Sequence, residues 1–420
     1  MRIFTSFLFL LFCSTINISA QGTWTHFTKE NGLTSIWVQS IVEDQQGNIW
    51  FGTRKGLNKF NGETLESFQG REGLPDNNVR AMAMDKNGKL WVGTDKGVCL
   101  YDGTDMVPCE ISSTLSENKI TAIFKDHSGD LWIGGEFSKN WGFLYKYDGD
   151  SLISFNEVAG IHMKPVHKIA QSPGGEIWIF TVGKKDDFIF RYLDGHWGAY
   201  GKGPGLPTSN YKEYREIEVV MFDSKGGLWC ASSEKTIDGD YTGFGCLMWF
   251  DGEQWKMFTS KDGYKTGYGI TSILEDEKGQ IWIGSFKGAS VYDGKEWSNY
   301  LKNSPESVFF VISMLKDAKG DVWLGTGLGL IDFNGAEWKR FDKDLLMGRV
   351  IQKVFEDSRG HIWIGAGNGL SEGGVGLYNG EKWDLYTTRD VFGPFAFDFY
   401  EDSKGNVWAI TKSGISRYEY

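Results

Sequence analysis

The sequence predicts an all-β fold, a single closed β-propeller of nine four-stranded blades. Three observations predict it: a tryptophan motif with a period just above forty residues, an Asp-x-x-Gly turn before nearly every copy, and complementary half-units at the chain ends. A period of this length with four strands per unit is typical of propellers. Seven or eight blades remain alternatives, because nine is above the usual range.

The recurring motif is Gly-x-(Ile/Leu/Val)-Trp, and it occurs nine times. Its tryptophans are Trp50, Trp91, Trp132, Trp178, Trp229, Trp282, Trp323, Trp363 and Trp408. A residue that every copy needs serves the repeat, so we interpret these tryptophans as core residues between blades rather than as ligand platforms.

Each unit is interpreted as four strands, a to d. An apolar run such as Ile270 to Leu274 gives strand a, and the turn after it opens with Asp six residues before the Trp, except for Ser172 in unit four. The Gly three residues later suits a positive φ. Strand c ends in Asp-Gly or Asn-Gly, a hairpin signal, and strand d is Trp-x-x-(Phe/Tyr). The repeated spacing indicates turns rather than calcium or phosphate sites.

The chain ends support ring closure. The last unit stops at "SGISRYEY", its strand c, and the segment "GTWTHFT" near the start supplies a strand d in Trp24 to Phe27. The N-terminal strand is therefore expected to complete the last blade, which removes exposed sheet edges. Residues 21–420 are expected to form one domain.

Residues 1–20 have the pattern of a signal peptide. Arg2 gives a positive start, an apolar run follows to Cys13, and cleavage is expected near Ala20. The large Phe12 before Cys13 argues against a lipoprotein site. We therefore expect a periplasmic or secreted protein with no membrane insertion, because no later stretch is long and apolar enough to span. The net charge of −11 argues against a nucleic-acid partner.

Four cysteines follow the leader: Cys99, Cys109, Cys230 and Cys246. Export permits disulfides, and the pairs Cys99–Cys109 and Cys230–Cys246 fall on neighbouring predicted strands. Buried thiols are the alternative, since sequence does not show which way the side chains point. No Cys or His spacing indicates a metal site, and no cofactor is expected.

The segment "GLTSIWVQSIVEDQQGNIWFGTRKGLNKFNG", residues 32–62, resembles the two-component regulator propeller repeat. The resemblance extends over the whole chain after the leader, most faithfully in units one, two, six, seven and eight. It implies a periplasmic sensor propeller of the kind found in membrane-bound histidine kinases, often recognising polysaccharide breakdown products. These 420 residues contain no recognisable membrane span, β-sandwich, kinase or receiver sequence. The resemblance therefore implies a propeller fold and ligand binding rather than signalling by this chain alone.

Functional residues are expected where the repeats differ. The longest b–c loops are residues 134–143, 181–188, 232–245 and 365–376, and the longest d–a connection is 201–216. Both kinds of loop open on one face of a propeller, around its channel. Aromatic faces beside Arg and Lys suit an acidic sugar. The candidate ligand-binding residues are Trp37, Lys119, Trp141, Lys164, Tyr214, Arg215, Tyr268, Phe309, Arg349 and Phe395.

Three functions remain open at this point. A non-catalytic binding or sensor propeller would recognise a glycan or another small ligand at the channel mouth. A protein-interaction scaffold of the cell envelope would expose a broad apolar patch. A polysaccharide lyase or hydrolase would need clustered titratable groups, for which the candidates are His162, His167, Tyr211, Tyr214 and Arg215. We favour the binding protein, because no catalytic motif is present.

Overall fold

The three-dimensional structure is a computed structural model. It describes residues 22–70, 73–109, 113–158, 160–182, 188–201, 217–232, 246–265, 269–301, 310–341, 350–367, 373–387, 393 and 396–420. The predicted leader, residues 1–20, lies outside these ranges. No helix among the described residues is long and apolar enough to cross a membrane.

The chain folds as a nine-bladed all-β propeller, as the sequence predicts. Each blade is a four-stranded antiparallel sheet in the order a, b, c, d. From blade 1 to blade 9, the inner strands a are Val38–Glu43, Val79–Met84, Lys119–Lys125, Val166–Gln171, Ile217–Phe222, Ile270–Glu275, Val311–Lys316, Val350–Glu356 and Ala396–Glu401. The b strands are Ile49–Thr53, Leu90–Thr94, Leu131–Ser138, Ile177–Thr181, Leu228–Ser232, Ile281–Ser285, Val322–Thr326, Ile362–Gly367 and Val407–Thr411.

The outer half of each blade consists of strands c and d. The c strands are Gly56–Phe60, Gly97–Tyr101, Trp141–Tyr147, Phe188–Leu193, Cys246–Phe250, Gly288–Tyr292, Gly329–Phe333, Gly373–Tyr378 and Gly414–Glu419. The d strands are Leu65–Phe68, Met106–Pro108, Leu152–Ser154, His196–Gly201, Trp255–Phe258, Trp297–Leu301, Trp338–Arg340, Trp383–Thr387 and, for blade 9, Thr23–Phe27. The other elements in the described ranges are a helix, two short 3-10 turns and a two-stranded hairpin: Ser113–Glu117, Lys29–Asn31, Ser260–Asp262, and Glu157–Val158 with Ile161–His162.

The first strand closes the ring. Thr23–Phe27 pairs antiparallel with Gly414–Glu419, with Trp24 opposite Tyr418. Phe27 then packs against Trp408 of blade 9 and Phe60 of blade 1, with ring centroids 5.6 and 4.9 Å apart. The predicted completion of the last blade by the N-terminal strand is confirmed.

The core lies between blades. All nine motif tryptophans are buried, and each belongs to an apolar cluster that extends into the next blade. Trp50 of blade 1, for example, contacts Tyr101 of blade 2 at 4.6 Å between ring centroids. Because one blade cannot bury its own faces, each tryptophan is covered by its neighbour, as the repeat predicts.

The a–b turns bind their tryptophan as well as their own backbone. In blade 6, Asp276 Oδ1 accepts the backbone N–H groups of Lys278 and Gln280 at 2.9 Å, and Oδ2 accepts the indole N–H of Trp282 at 2.9 Å. Gly279 has φ +72° in this turn. The other seven Asp turns accept the indole N–H in the same way, which sequence reasoning did not foresee.

Blade 4 replaces this arrangement with a longer acid. The Ser172 hydroxyl accepts the backbone N–H of Glu176 at 3.1 Å, and the indole N–H of Trp178 instead donates to Glu176 Oε2 at 3.2 Å. Arg191 forms an ion pair with the same carboxylate. The exceptional Ser in unit four therefore does not leave the buried indole without an acceptor.

Carboxylates at the ends of several inner strands join one blade to the previous one. Glu275 accepts the backbone N–H and the hydroxyl of Ser224 at 2.6 and 2.7 Å, and Glu401 accepts those of Ser358 at 2.7 and 2.6 Å. At the closure of the ring, Glu43 accepts the same two groups of Ser403. These bonds lie at the end of the ring that carries the a–b turns.

Neither expected disulfide is formed, since Cys99 and Cys230 are buried thiols. Burial raises the pKa of the Cys99 thiol to about 12. Cys99 packs between blades 1 and 2 whereas Cys109 packs between blades 2 and 3, so their side chains point to opposite faces of one sheet and cannot be bridged. Cys230 and Cys246 share a face, because Cys230 lies opposite Met248. Cys230 is nevertheless a free thiol, so this pair is not bridged.

Candidate ligand-binding face

The two ends of the ring differ in what they expose. We call the end with the a–b and c–d turns the turn face, and the end with the b–c and d–a connections the loop face. Among the described residues, nine large apolar side chains are exposed. Six of them lie on the loop face: Trp37, Phe137, Trp141, Phe286, Leu328 and Phe397. The loop face is therefore the candidate ligand-binding face.

The first candidate binding centre, an exposed aromatic ring with a cation beside it, is on blade 3, where strands b and c extend beyond the sheet. Their hairpin pairs Ser138 with Trp141, and Gly142 N–H donates to Met163 O at 2.9 Å. A Cβ at Gly142 would lie 2.2 Å from the carbonyl oxygen of Lys164, so only Gly permits this close approach. The approach places Lys164 Nζ 4.7 Å from the centroid of the Trp141 ring.

Lys164, the cation over the Trp141 ring, is available to bind an anionic ligand. His162 meets the indole edge-on at 5.5 Å and is itself 3.6 Å from Glu157. No carboxylate of the described residues pairs with Lys164. Lys119, in contrast, is neutralised by Glu136 at 2.6 Å. The structure thus brings Trp141 and Lys164 together and gives Lys119 an internal ion-pair partner.

The second centre is on blade 1. Trp37, 48% exposed, precedes strand a, and its carbonyl accepts the backbone N–H of Arg54 at 3.1 Å. The Arg54 guanidinium carbon lies 5.3 Å from the centroid of the Trp37 ring, and Arg54 pairs with no carboxylate of the described chain. Sequence reasoning found Trp37 and missed Arg54.

Arg54 could have been found from a hydrogen bond that recurs around the ring. In several blades the first residue of the b–c turn donates its N–H to the residue that precedes strand a: Arg54 to Trp37, Val182 to Pro165, Phe286 to Gly269 and Gly327 to Phe310. Residues at the entrance of strand a and at the start of the b–c turn are therefore neighbours. The repeat spacing carries this signal, because the two positions recur together in several units.

A third aromatic pair lies between blades 6 and 7. Phe286 stacks on Phe310 with centroids 4.6 Å apart and planes 11° apart. Phe310 has φ +56°, a conformation that bulky residues avoid. The predicted Phe309 is the preceding residue and lies outside the described part of the chain.

A cleft opens beside Trp37, between the inner strands of blades 1 and 9. Its volume is about 470 Å³. Blade 1 contributes Ile36 to Ile41, and blade 9 contributes Phe397 to Tyr400 with Ile410. Trp37 therefore belongs both to the exposed rim and to this cleft.

The remaining predicted site residues lie outside the described ranges: Tyr214, Arg215, Tyr268, Phe309, Arg349 and Phe395. The same holds for Tyr211, for most of loops 181–188 and 232–245, for residues 368–372 of loop 365–376, and for nearly all of the connection 201–216. Of the histidines proposed for an enzyme, His162 is exposed beside Glu157, and His167 is exposed on the inner strand of blade 4. Within the part of the chain that the structure describes, no group of three or more His, Cys, Asp or Glu side chains could hold a metal ion.

The sequence profile described as Two component regulator propeller matches residues 32–55, 73–96, 114–137 and 265–287. The chain carries two component regulator propeller repeats. The matched segments lead into and include strands a and b of blades 1, 2, 3 and 6. The matches thus include blade 3, whereas the repeat pattern in the sequence is expected to be most faithful in units one, two, six, seven and eight.

The solved structures similar to this chain include extracellular domains and a surface component of bacteria, and also streptogramin and virginiamycin B lyases. One is the extracellular domain of a protein classed as a one component system of B. thetaiotaomicron, with 20% identity, a TM-score of 0.43, and 95% of this chain and 52% of that chain covered. Another is the extracellular domain of a B. thetaiotaomicron hybrid two component system, with 18% identity, a TM-score of 0.36 and coverage of 94% and 63%.

A third similar structure is PorZ of Porphyromonas gingivalis, described as a surface component of the type-IX secretion system. It shares 14% identity, with a TM-score of 0.44 and coverage of 91% of this chain and 68% of that chain. The chain thus spans roughly half to two thirds of the first two structures. At these identities the likeness concerns the fold. The comparison with curated proteins returned no match.

Proposed function

We propose that this protein is a non-catalytic binding or sensor propeller that recognises an acidic glycan on its loop face. One observation carries the proposal: two exposed tryptophans, Trp37 and Trp141, each have a cation over the ring. Neither cation, Arg54 nor Lys164, pairs with a described carboxylate. The repeat family that the chain matches supports a sensor role.

The chemistry of these two centres fits a sugar that bears carboxylate or sulfate groups. An indole face packs on the apolar C–H face of a pyranose, and burying it removes apolar surface from water. A guanidinium or an ammonium beside the ring binds the anionic substituent through charge-assisted hydrogen bonds. A neutral sugar would use the rings alone, so acidic glycans are expected to bind more tightly than neutral ones.

The protein is further proposed to act outside the cytoplasm, after cleavage near Ala20. The support is the sequence pattern of residues 1–20. Intact mass of the protein recovered from the periplasm or the medium tests it. A mass equal to residues 21–420 is expected, and a mass that includes residue 1 would contradict export by this route.

A thermal-shift experiment tests the binding proposal. The chain from residue 21 would be melted with tetragalacturonate, chondroitin sulfate tetrasaccharide and neutral cellotetraose. A ligand that binds only the folded state raises the melting temperature. We expect a shift with an acidic probe that exceeds the shift with cellotetraose. Absence of a shift with all three would contradict the proposal and favour an envelope protein partner, to be sought by pull-down.

Variants locate the site in the same experiment. Trp141→Ala and Lys164→Met should each reduce the shift, since they remove one ring and one cation of the blade 3 centre. Leu385→Ala is the matched control, because Leu385 is an exposed apolar residue on the outer strand of blade 8, away from the loop face. An equal shift in all variants would place the glycan elsewhere on the ring.

A further inference from the structure

Blade 5 places four sulfur atoms on one face of its sheet. Cys230 on strand b lies opposite Met248 on strand c, and Met248 lies opposite Met257 on strand d. Cys246 stands two residues before Met248, so its side chain points to the same side of the sheet. All four residues belong to the apolar cluster between blades 4 and 5. The sheet register thus gathers two thiols and two thioethers in one place.

Two of these sulfur side chains are in contact with each other, and both reach solvent. The Cys246 Sγ atom lies 3.4 Å from the Met257 Sδ atom. Cys246 and Met257 are partly exposed, whereas Cys230 and Met248 are buried. Cys246 begins strand c, at the end of the blade that faces the b–c loops. The group is therefore closed on the side of strand b, and two of its members are accessible to solvent.

The sulfur atoms are a feature of blade 5 and not of the repeat. The row of the sheet that holds Cys230, Met248 and Met257 has a counterpart in every blade. The counterparts in blades 4 and 6 are Ile179, Phe190 and Ala199, and Ile283, Ser290 and Asn299. In the eight other blades this row holds at most one sulfur atom, that of Cys99 in blade 2. Sulfur side chains fill many protein cores, but the packing of one blade on the next does not require them here.

We propose that blade 5 binds one copper(I) ion through the Cys246 sulfur and the thioethers of Met248 and Met257, with Cys230 behind them. Soft sulfur ligands favour copper(I), whereas calcium and magnesium require oxygen ligands, and zinc sites use Cys, His, Asp or Glu rather than Met. The site is independent of the glycan proposed for the loop face. The methionine sulfur atoms distinguish it, since two cysteines alone are too few to enclose an ion.

The observed contact needs little change when an ion binds. Metal–sulfur bonds are about 2.3 Å long, so three sulfur atoms around one ion lie about 4 Å apart. The Cys246 and Met257 sulfur atoms, now 3.4 Å apart, would have to separate by roughly half an ångström. Methionine has three rotatable side-chain bonds and adapts to irregular spaces. The cluster can therefore admit a small monovalent ion without movement of the sheet.

The charges balance when one thiol ionises. Binding replaces the S–H bond of Cys246 with an S–Cu bond and releases one proton to solvent, and copper stays in the +1 state. One thiolate neutralises the ion and the two thioethers add no charge, so the apolar cluster takes up no net charge. Cys246 supplies the thiolate because it is partly exposed, whereas burial raises the pKa of the Cys230 thiol well above its usual range.

Transfer of copper(I) from a coloured competitor tests the site. The protein is titrated without oxygen against the copper(I) complex of bicinchoninate, whose colour fades as the ion moves to the protein. We expect one copper(I) ion per chain and a near-ultraviolet absorption band from the thiolate–copper bond. An excess of zinc(II) should not prevent the transfer. Competition by zinc(II) would overturn the assignment to copper(I).

Variants separate metal ligation from packing. Met257→Leu keeps an apolar side chain and should weaken copper(I) binding by at least about tenfold, since loss of even an outer partner of a metal site costs that much. Met314→Leu is the matched control, because Met314 is a partly buried methionine of blade 7. Cys246→Ala should abolish the absorption band, and Cys99→Ala, in another cluster, should leave it unchanged. Melting temperatures verify folding, and Met257→Leu keeps the test decisive should Cys246→Ala fail to fold.

Three results would contradict the copper(I) site. The first is no transfer of copper(I) from bicinchoninate to the unmodified protein. The second is equal affinity in Met257→Leu and Met314→Leu, because the ion would then be held by thiols alone or elsewhere on the chain. The third is a Cys230–Cys246 bridge in protein purified without reductant, seen as the loss of two titratable thiols, because it would remove the Cys246 ligand.

Discussion

The two faces of this propeller are built from the same nine repeats and differ in almost every other respect. On the turn face, eight of nine a–b turns bind their own backbone and their tryptophan through one buried Asp, and Glu side chains join neighbouring blades. On the loop face, tryptophan and phenylalanine side chains remain exposed, and two of them have a cation over the ring. The a–b turns of the turn face satisfy their polar groups internally, whereas the loop face leaves groups for a ligand.

The difference shows how a repeat divides stability from recognition. A group that occurs in every blade is fixed by the packing of one blade on the next. A group that occurs in one blade only, such as Arg54 or Lys164, is not required by that packing. The expected effects of substitution follow the same division: loss of stability on the turn face, and loss of binding on the loop face.

The largest effect is expected from Asp276→Ser on the turn face. It removes the carboxylate that accepts the Trp282 indole and two backbone N–H groups, and should lower the free energy of unfolding by about 3 kcal/mol. Urea denaturation measures it. Blade 4 supplies the control, since Ser172 is tolerated there beside Glu176.

The double variant Asp276→Ser with Gln280→Glu gives blade 6 a glutamate at the position that Glu176 occupies in blade 4. It should recover part of the lost free energy of unfolding. If Asp276→Ser alone were as stable as the unmodified protein, the turn face would not depend on its carboxylates. The division between a stabilising turn face and a ligand-binding loop face would then fail for stability.

The next effect concerns binding. Lys164→Met should weaken binding of an acidic glycan by about tenfold, or about 1.4 kcal/mol, because Lys164 pairs with no described carboxylate. Lys119→Met, at the start of the inner strand of blade 3, should change the affinity little, since Glu136 already neutralises Lys119. Calorimetric titration at low and high salt measures both. Equal losses in the two variants would indicate a general charge effect rather than a site at Trp141.

A smaller effect is expected at the junctions between blades. Glu43→Gln keeps an oxygen for Ser403 but removes the charge, and should lower stability by about 1 kcal/mol. Glu401→Gln is the matched variant at the junction of blades 8 and 9, where Ser358 makes the same two bonds. A larger loss for Glu43→Gln is expected, because that junction also closes the ring. Identical urea midpoints for both variants would show that the closure needs no extra support on the turn face.

The smallest effect involves an exception on the turn face, Asp332 of blade 7. Its Oδ1 is buried with no hydrogen-bond partner among the described residues, and burial, with Asp321 and Asp317 nearby, raises its pKa to about 6. At the matching position of blade 3, Lys146 instead neutralises Asp130 at 2.9 Å. A carboxylate with a raised pKa destabilises the fold above that pKa and ceases to do so as it protonates.

Asp332→Leu should therefore stabilise the protein by about 1 kcal/mol at pH 8, after allowance for solvent screening. Leucine already occupies this position in blades 2 and 8, as Leu100 and Leu377. The gain should shrink as the pH falls from about 6 to 4, because the unmodified protein then takes up the proton. A gain that does not depend on pH would assign the effect to packing instead of charge.

Most of the fold could be predicted from the sequence, because each of its rules is repeated. The period, the turn residues and the unmatched half-units gave nine blades and closure by Trp24 to Phe27, and the structure confirms both. The indole bond to Asp was not predicted, since sequence shows which residues recur and not which atoms meet. The choice between a bridge and buried thiols at Cys99 and Cys109 stayed open for a similar reason: sequence shows neighbouring strands, and only the structure shows that the side chains face opposite ways.

The site could be predicted only in part. Trp141 and Lys164 were chosen separately, and their contact depends on the close approach at Gly142, which no periodic pattern indicates. Arg54 was missed because it sits in a short turn that looks like every other b–c turn. Residues that belong to one blade carry no repeated signal, so their neighbours must be found from the structure.

The most direct test of the loop-face account is a calorimetric titration of the double variant Trp37→Ala/Trp141→Ala beside the unmodified protein, with tetragalacturonate and chondroitin sulfate tetrasaccharide as probes. The account predicts that the unmodified protein binds an acidic probe, more weakly at high salt. It predicts that the double variant melts at nearly the same temperature but no longer binds. Equal affinity in the two proteins, or no binding by either, would contradict it.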